Sequence, residues 1–195
     1  PDGCMLKPEY PAAVVAGNVE TSQCVTGALY GALGVMSSSQ GTMNNFTFGN
    51  DVYQYYETIC GGSGAGPGFN GTDAVHVHMT NSRLTDPEIL EWRFPVLLEE
   101  FKINRGSGGK GKFRGGDGTI RRVQFLEPMV ATILSGHRTV PPYGLEGGSH
   151  GAVGKTTVER TNGTVNELGA TDSTQMEAGD VFVIQTPSGG GFGSA

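Results

Sequence analysis

His76 and His78 alternate within AVHVHMT, residues 74–80, and Asn81, Arg83, Asp86 and Glu88 follow at once. On a strand, both imidazoles would project from one face. That geometry suits two ligands of a metal ion, a polar surface turned towards a substrate, or two histidines kept for structure. No third ligand stands at a fixed spacing from the pair, so no metal is assigned and His76 and His78 remain a fallback pair only. A density of hydrogen-bonding groups just past a strand end is what a binding site needs, although Asp86 also serves as a helix cap.

The second stretch is Arg105 to Gly118, RGSGGKGKFRGGDG, which sets Arg105, Lys110, Lys112 and Arg114 against Asp117. From Lys102 to Arg122 the chain holds seven of its 13 Lys and Arg with one acid, inside a protein of net charge −6. Such a concentration suggests a bound anion or an acidic partner surface. Nucleic acid is not expected, because there is one Arg-Gly-Gly rather than an array and no aromatic residues are interleaved for base stacking. Gly106, Gly108 and Gly111 satisfy G-x-G-x-x-G, but Lys112 to Gly116 cannot open the helix that a dinucleotide site requires. Gly154-Lys155-Thr156 falls short of a phosphate loop because Ser149 stands where glycine is needed. Cys60 has no neighbouring base in sequence, and no catalytic residue is assigned.

Several elements must position these groups. Residues 94–104 and 120–127 read as strands on either side of the basic loop, which is then fixed at both ends. Asn18 offers a helix cap, and Val25, Ala28, Leu29, Ala32, Leu33 and Met36 recur at the spacing of one buried helical face. That stripe reads as core. Residues 40–50 and 51–60 read as a hairpin turning at Gly49-Asn50-Asp51, and residues 74–80 as a strand. Residues 86–92 form a short helix with Pro87 at its start. Residues 129–135 and 180–186 are strands, and 155–160 pairs with 164–168 across Thr161-Asn162-Gly163. The fold class is α+β, mainly β: antiparallel strands and hairpins with one long N-terminal helix and a short helix near 86–92.

At 195 residues the chain suits a single domain, with 145–195 as a small lobe within it. The 36% hydrophobic content is held down by 33 glycines and describes a turn-dense folded protein. Cys4, Cys24 and Cys60 are odd in number and form no C-x-x-C pair, which fits a reducing, cytoplasmic setting. No run of membrane-spanning length is present. Of the sequons at Asn45, Asn70 and Asn162, the last two are Asn-Gly-Thr, which is also common turn chemistry, and the odd cysteines argue against glycosylation. The opening Pro1-Asp2-Gly3-Cys4 reads as the interior of a longer protein.

Taken in order, AAVVAGNVETSQ from Ala12, SQGTMNN from Ser39, YYETICGGSGAGP from Tyr55, HVHMTNSRLTDPEILEWRFPV from His76, RGSGGKGKFRGGDG from Arg105, PPYGLEGG from Pro141 and AGDVFVIQTPSGGGFG from Ala178 resemble the hydantoinase B/oxoprolinase family. The likeness is greatest to the C-terminal end of its ATP-dependent oxoprolinase branch and covers nearly the whole chain. Two departures are Ser135-Gly136-His137-Arg138, where the family commonly carries an arginine-rich stretch, and Ser188 within the final glycine run.

The resemblance implies hydrolysis of the lactam of 5-oxo-L-proline to L-glutamate with ATP cleavage, a step of glutathione metabolism. It implies ATP and Mg bound outside these residues by a hydantoinase A-like ATPase half, and a divalent metal elsewhere in the hydantoinase B half. The remainder of that enzyme is the expected partner, with a small-molecule substrate, a homo-oligomeric assembly and no membrane. His76, His78, Asn81 and Arg83 become the implied substrate contacts, with Arg83 pairing a carboxylate or phosphate through two N–H bonds and an imidazole hydrogen-bonding the opening amide. Arg105, Lys110, Lys112 and Arg114 remain the anion-binding candidates. Two alternatives are a piece of a hydantoinase or of an acetone-type carboxylase, and a non-catalytic assembly domain with a basic docking loop.

Overall fold

The structure is a computed structural model and describes residues 2–4, 7, 9–11 and 20–194. Asn18, the expected cap, and residues 12–17 before it lie outside the described residues. Two antiparallel sheets carry the fold. The first has the order β2 (Gln54–Glu57), β1 (Asn45–Gly49), β5 (Met129–Leu134), β8 (Thr171–Met176). The second runs β3 (Val96–Ile103), β4 (Thr119–Phe125), β9 (Val181–Gln185), β6 (Lys155–Glu159), β7 (Val165–Leu168). Two helices, α1 (Glu20–Ala32) and α2 (Pro87–Arg93), complete the described elements. The α+β, mainly β reading therefore stands. Residues 145–195 supply strands to both sheets and are woven through the body of the fold.

The core lies between the sheets, where alternate residues of β1, β4, β5 and β9 turn inwards. Phe46 of β1 stacks on Phe182 of β9 at 4.8 Å, and Phe48 meets Phe125 of β4 edge-on at 5.3 Å. Each such pair adds about 1 kcal/mol to what the burial of its apolar area contributes. Local chemistry sets the turns. Asn50 accepts the N–H groups of Val52 and Tyr53 on its side-chain oxygen, closing the β1–β2 hairpin. Asp86 caps α2 by accepting the Glu88 N–H, with Pro87 leading the helix. Strand β8 escapes sequence reading because TDSTQM carries almost no apolar residue; it forms because its backbone completes the edge of the first sheet beside β5.

A third structural unit has neither helix nor strand. Glycine-rich segments run side by side and bond backbone to backbone: Gln40 N–H to Gly62 O at 2.9 Å, Gly116 N–H to Ser63 O at 2.8 Å, Gly189 N–H to Gly116 O at 2.8 Å. The network continues from Gly109 N–H to Gly189 O and from Gly190 N–H to Ser38 O, both 2.8 Å. The backbones lie so close that a Cβ on Gly62 or Gly189 would land on a neighbouring carbonyl. The expectation that Arg105 to Gly118 is held only at its ends is therefore corrected. Gly109, Gly115, Gly116, Asp117 and Gly118 are buried, and the segment forms a layer of this glycine lattice. Ser188, the departure within the last glycine run, sits in the same lattice: its hydroxyl accepts the Ala152 N–H at 2.7 Å and donates to Ser107 O at 2.6 Å.

Two further expectations are corrected. Residues 74–80 are not a strand: only Val75 pairs, donating its N–H to Gly61 O at 2.8 Å, and Ala74 and His78 take positive φ of 49° and 57°. Those values bend the chain out of the extended course that alternation assumed. Helix α1 exists where the periodicity places it, but its apolar stripe faces outwards rather than into the core. The opposite face carries the polar groups that lock it to the body, together with Gly31, where a Cβ would strike the Tyr143 ring.

Candidate functional site

The segment from Ala74 to Asp86 is bolted down along its length. Gln23 of α1 donates both amide hydrogens to it, to Val77 O at 2.9 Å and Thr80 Oγ1 at 2.8 Å. Ser82 hydrogen-bonds Thr58, and Tyr55 accepts from Thr85 while donating to Glu57. His78 meets Tyr30 of α1 edge-on, with ring centroids 5.6 Å apart. The Nδ1 of His76 is buried and bonded to nothing. Burial holds both imidazoles below the ordinary histidine pKa, so each is neutral at pH 7 and free to act as an acceptor. Asn81 and Arg83 continue from this half-buried pair into solvent. All four substrate-contact candidates thus lie on one anchored turn-rich segment.

The two histidines do not share a pleated face, and among the described residues no group of three or more His, Cys, Asp or Glu could hold a metal ion. The residues present do not fit a metal centre, and the fallback role of His76 and His78 gains no third ligand here.

The four cations of the basic segment divide into two pairs. Arg105 and Arg114 converge on Asp73: Arg105 Nη1 stands 3.3 Å from Oδ2, and Arg114 reaches Oδ1 at 3.0 Å and Oδ2 at 3.1 Å. Asp73 also accepts the Asp117 N–H at 2.9 Å, while Asp117 accepts the N–H groups of Gly108 and Gly106 at 2.7 and 3.1 Å. The hydrogen bond from Arg114 leads the interactions that hold the Asp73 carboxyl below its ordinary pKa. Lys110 and Lys112 stay exposed, with Lys112 Nζ lying 5.8 Å from the Phe113 ring centroid. Sequence reasoning missed Asp73, because nothing in linear spacing links it to a loop more than thirty residues away.

Also missed was the anchoring role of the polar run from Ser37 to Asn45, all of it buried apart from Gly41. Glu20 Oε1 accepts from Thr42 Oγ1 at 3.0 Å, Met43 N–H at 2.9 Å and Asn45 Nδ2 at 2.8 Å, which makes it an anchor as well as a complement to the helix dipole. Asn44 Nδ2 donates to Gln40 Oε1 and Ile59 O, and Asn44 Oδ1 accepts from Arg138 at 3.2 Å. Burial depresses the Arg138 pKa to about 10, with Glu20 opposing the shift. Between α1, this run and the turn after β5 lies a recess of about 220 Å³ lined by Gln23, Cys24, Ser38, His137 and Tyr143 among others. Burial, then the nearby Glu20 charge, pushes the Cys24 thiol up, so it is no activated nucleophile.

This combination of a two-sheet body, a glycine lattice and an anchored histidine segment defines a class of protein. The chain belongs to the hydantoinase B/oxoprolinase family, which it matches over residues 1–195. It is 49% identical over 193 residues to a 5-oxoprolinase of Dictyostelium discoideum, covering 99% of this chain and 15% of that protein. It is 50% identical over 194 residues to 5-oxoprolinase 1 of Arabidopsis thaliana, covering 100% of this chain and again 15% of the relative. Among solved structures, the ATP-dependent caprolactamase from Pseudomonas jessenii shares the fold with a TM-score of 0.69 and 22% identity, over 86% of this chain and 32% of that one. The chain therefore spans about 15% of the length of the 5-oxoprolinases it matches.

Proposed function

We propose that these residues form part of the wall of the hydrolytic chamber in an ATP-dependent 5-oxoprolinase, which opens 5-oxo-L-proline to L-glutamate. The observation that carries the reading is identity near 50% along the whole chain with two 5-oxoprolinases, against 27% with a D-/L-hydantoinase component of a Pseudomonas species. ATP and Mg belong to the hydantoinase A-like half outside this chain, and a homo-oligomer working in the cytoplasm in glutathione metabolism completes the proposal. In the proposed scheme the γ-phosphoryl group of ATP would pass to the amide oxygen with release of ADP; water adds to the carbonyl carbon, the C–N bond breaks as the ring nitrogen takes up a proton, and a second water hydrolyses the resulting acyl phosphate to the carboxylate and inorganic phosphate. In this scheme Arg83, exposed at the end of the anchored segment, grips the substrate carboxylate or the phosphoryl group. The neutral imidazoles of His76 and His78, with Asn81, accept or share hydrogen bonds from the opening amide. Lys110 and Lys112 are the cations left for an anion, since Arg105 and Arg114 already serve Asp73.

The test is Arg83→Ala in the full-length enzyme, with glutamate formation and melting temperature measured together. A drop in kcat/KM of about 100-fold or more, at an unchanged melting temperature, is expected for loss of a bidentate charged contact. Unchanged kinetics with a lowered melting temperature would return Arg83 to a structural role. The carboxylase alternative draws only on fold, since acetone carboxylase shares a TM-score of 0.68 at 18% identity.

A further inference from the structure

Helix α1 is mounted inside out. Glu20, Gln23 and Tyr30 face the body, and the carbonyl of Gly27 is turned to it as well. There Glu20 binds Thr42, Met43 and Asn45, Gln23 binds the histidine segment, Gly27 O accepts the Tyr143 hydroxyl at 2.6 Å, and Tyr30 meets His78. Gly31 is required on the same side, because a Cβ there would strike the Tyr143 ring. With that face committed, the apolar stripe has nowhere to go but outwards. Val25 is 42% exposed, Leu29 53% and Leu33 63%, and Val35 and Phe69 extend the patch beyond the helix end at 44% and 45%. A helix of this length gains most of its stability from packing an apolar face, and among the described residues nothing covers that face of α1.

Charge narrows what covers it. No Lys, Arg, Asp or Glu occurs from Thr21 to Asn50, so the helix brings no ionic rim to the patch. A helix lying on a lipid surface would carry basic residues beside its apolar face, and an acidic or basic partner would find nothing on this helix to pair with. The matched 5-oxoprolinases are several times longer than this chain, so most of such a polypeptide lies outside these residues. We infer that the Val25–Leu29–Leu33 face of α1 is a docking surface for an apolar face of the same longer polypeptide, outside these 195 residues. The contact is a dry one, built as protein interiors are, and it sets the turn bearing His78 through Tyr30. The inference rests only on that part of the proposed function which makes this chain a portion of a longer enzyme.

The experiment places Leu29→Cys and Leu33→Cys singly in the full-length polypeptide. Maleimide labelling of each is followed by peptide mass spectrometry, in the native protein over a range of dilutions and in denaturant. Labelling slower than in denaturant by a factor of about 100 or more, and independent of dilution, is the expected result. Labelling at the rate of an open thiol would overturn the inference. Protection lost as the protein dissociates into monomers would assign the face to a second copy and also overturn it. Hydrogen exchange of the wild-type peptide spanning residues 20–33 supplies the same contrast without substitution, and neither readout depends on turnover of 5-oxoproline.

Discussion

Arg121 and Glu57 join the two sheets through a buried ion pair. Arg121 Nε and Nη2 reach the two oxygens of Glu57 at 2.6 and 3.1 Å, and both side chains are almost fully excluded from solvent. Arg121 occupies an inward position of β4, between Thr119 and Val123, where alternation alone would place an apolar residue. Tyr55 donates a further bond to Glu57 at 2.8 Å, so the carboxylate is well solvated by protein groups. Arg121→Met should lower stability by about 3–5 kcal/mol, because it strands a buried carboxylate. The double change Arg121→Met with Glu57→Leu should recover much of that loss. Denaturant midpoints of the single and double variants test this, and an equal loss in both would show that packing rather than charge governs the site.

The cluster on Asp73 makes a statement about pH. Its carboxyl is held below the ordinary value in the folded protein, first by Arg114. Its contribution to stability is therefore fully present above the unfolded carboxylate pKa of about 4 and lost as pH falls through the lower folded value. Asp73→Asn should destabilise at pH 7, and its stability should converge on that of the wild type below about pH 4. A constant gap across that range in melting-temperature profiles would remove Asp73 from the acid response.

Burial of His76 and His78 works on a different pH range. Both fold with depressed pKa values, so the unfolded state binds more protons as pH falls past about 6.5 and stability declines there. Replacing both with Gln should flatten that decline between roughly pH 7 and 5. If the slope persists in denaturation at fixed pH steps, groups other than these imidazoles cause it.

The glycine lattice and helix α1 respond oppositely to one added methyl group. A Cβ on Gly116 would collide with the Thr72 carbonyl, whereas a Cβ on Gly27 meets nothing within 4 Å. Gly27→Ala should stabilise by about 0.5–1 kcal/mol through helix propensity. Gly116→Ala should destabilise by several times that amount, because backbone rather than a movable side chain stands in the way. Thermal denaturation of both variants separates a packed lattice from a set of ordinary loops.

Loss of the Glu20 anchor should free the start of α1. Glu20→Ala removes an acceptor from three donors in the Thr42–Asn45 run. Amide exchange in residues 20–27 should quicken markedly while the β4 and β9 amides keep their protection. Uniform acceleration across the chain would instead mark Glu20 as a determinant of global stability.

Much of this protein is written in short-range chemistry that a single sequence displays. Alternating apolar residues place β4 and β5, Asp86-Pro87 starts α2, Asn162-Gly163 turns β6 into β7, and three- and four-residue spacing marks α1. The clustering of His76, His78, Asn81 and Arg83 is equally legible, because neighbours in sequence need no folding to be near one another. Which way a periodic face points depends on what the rest of the chain offers it, and for α1 that was a wall of buried polar groups, so the apolar stripe turned out. The partners of Arg105, Arg114 and Arg121 come from Asp73 and Glu57, tens of residues away, and only the paired sheets and the glycine lattice bring them into range. Backbone bonds between glycine segments leave no side-chain pattern to read at all. Local preference thus specified the elements, while the long-range meeting of backbones and charges decided how they face one another.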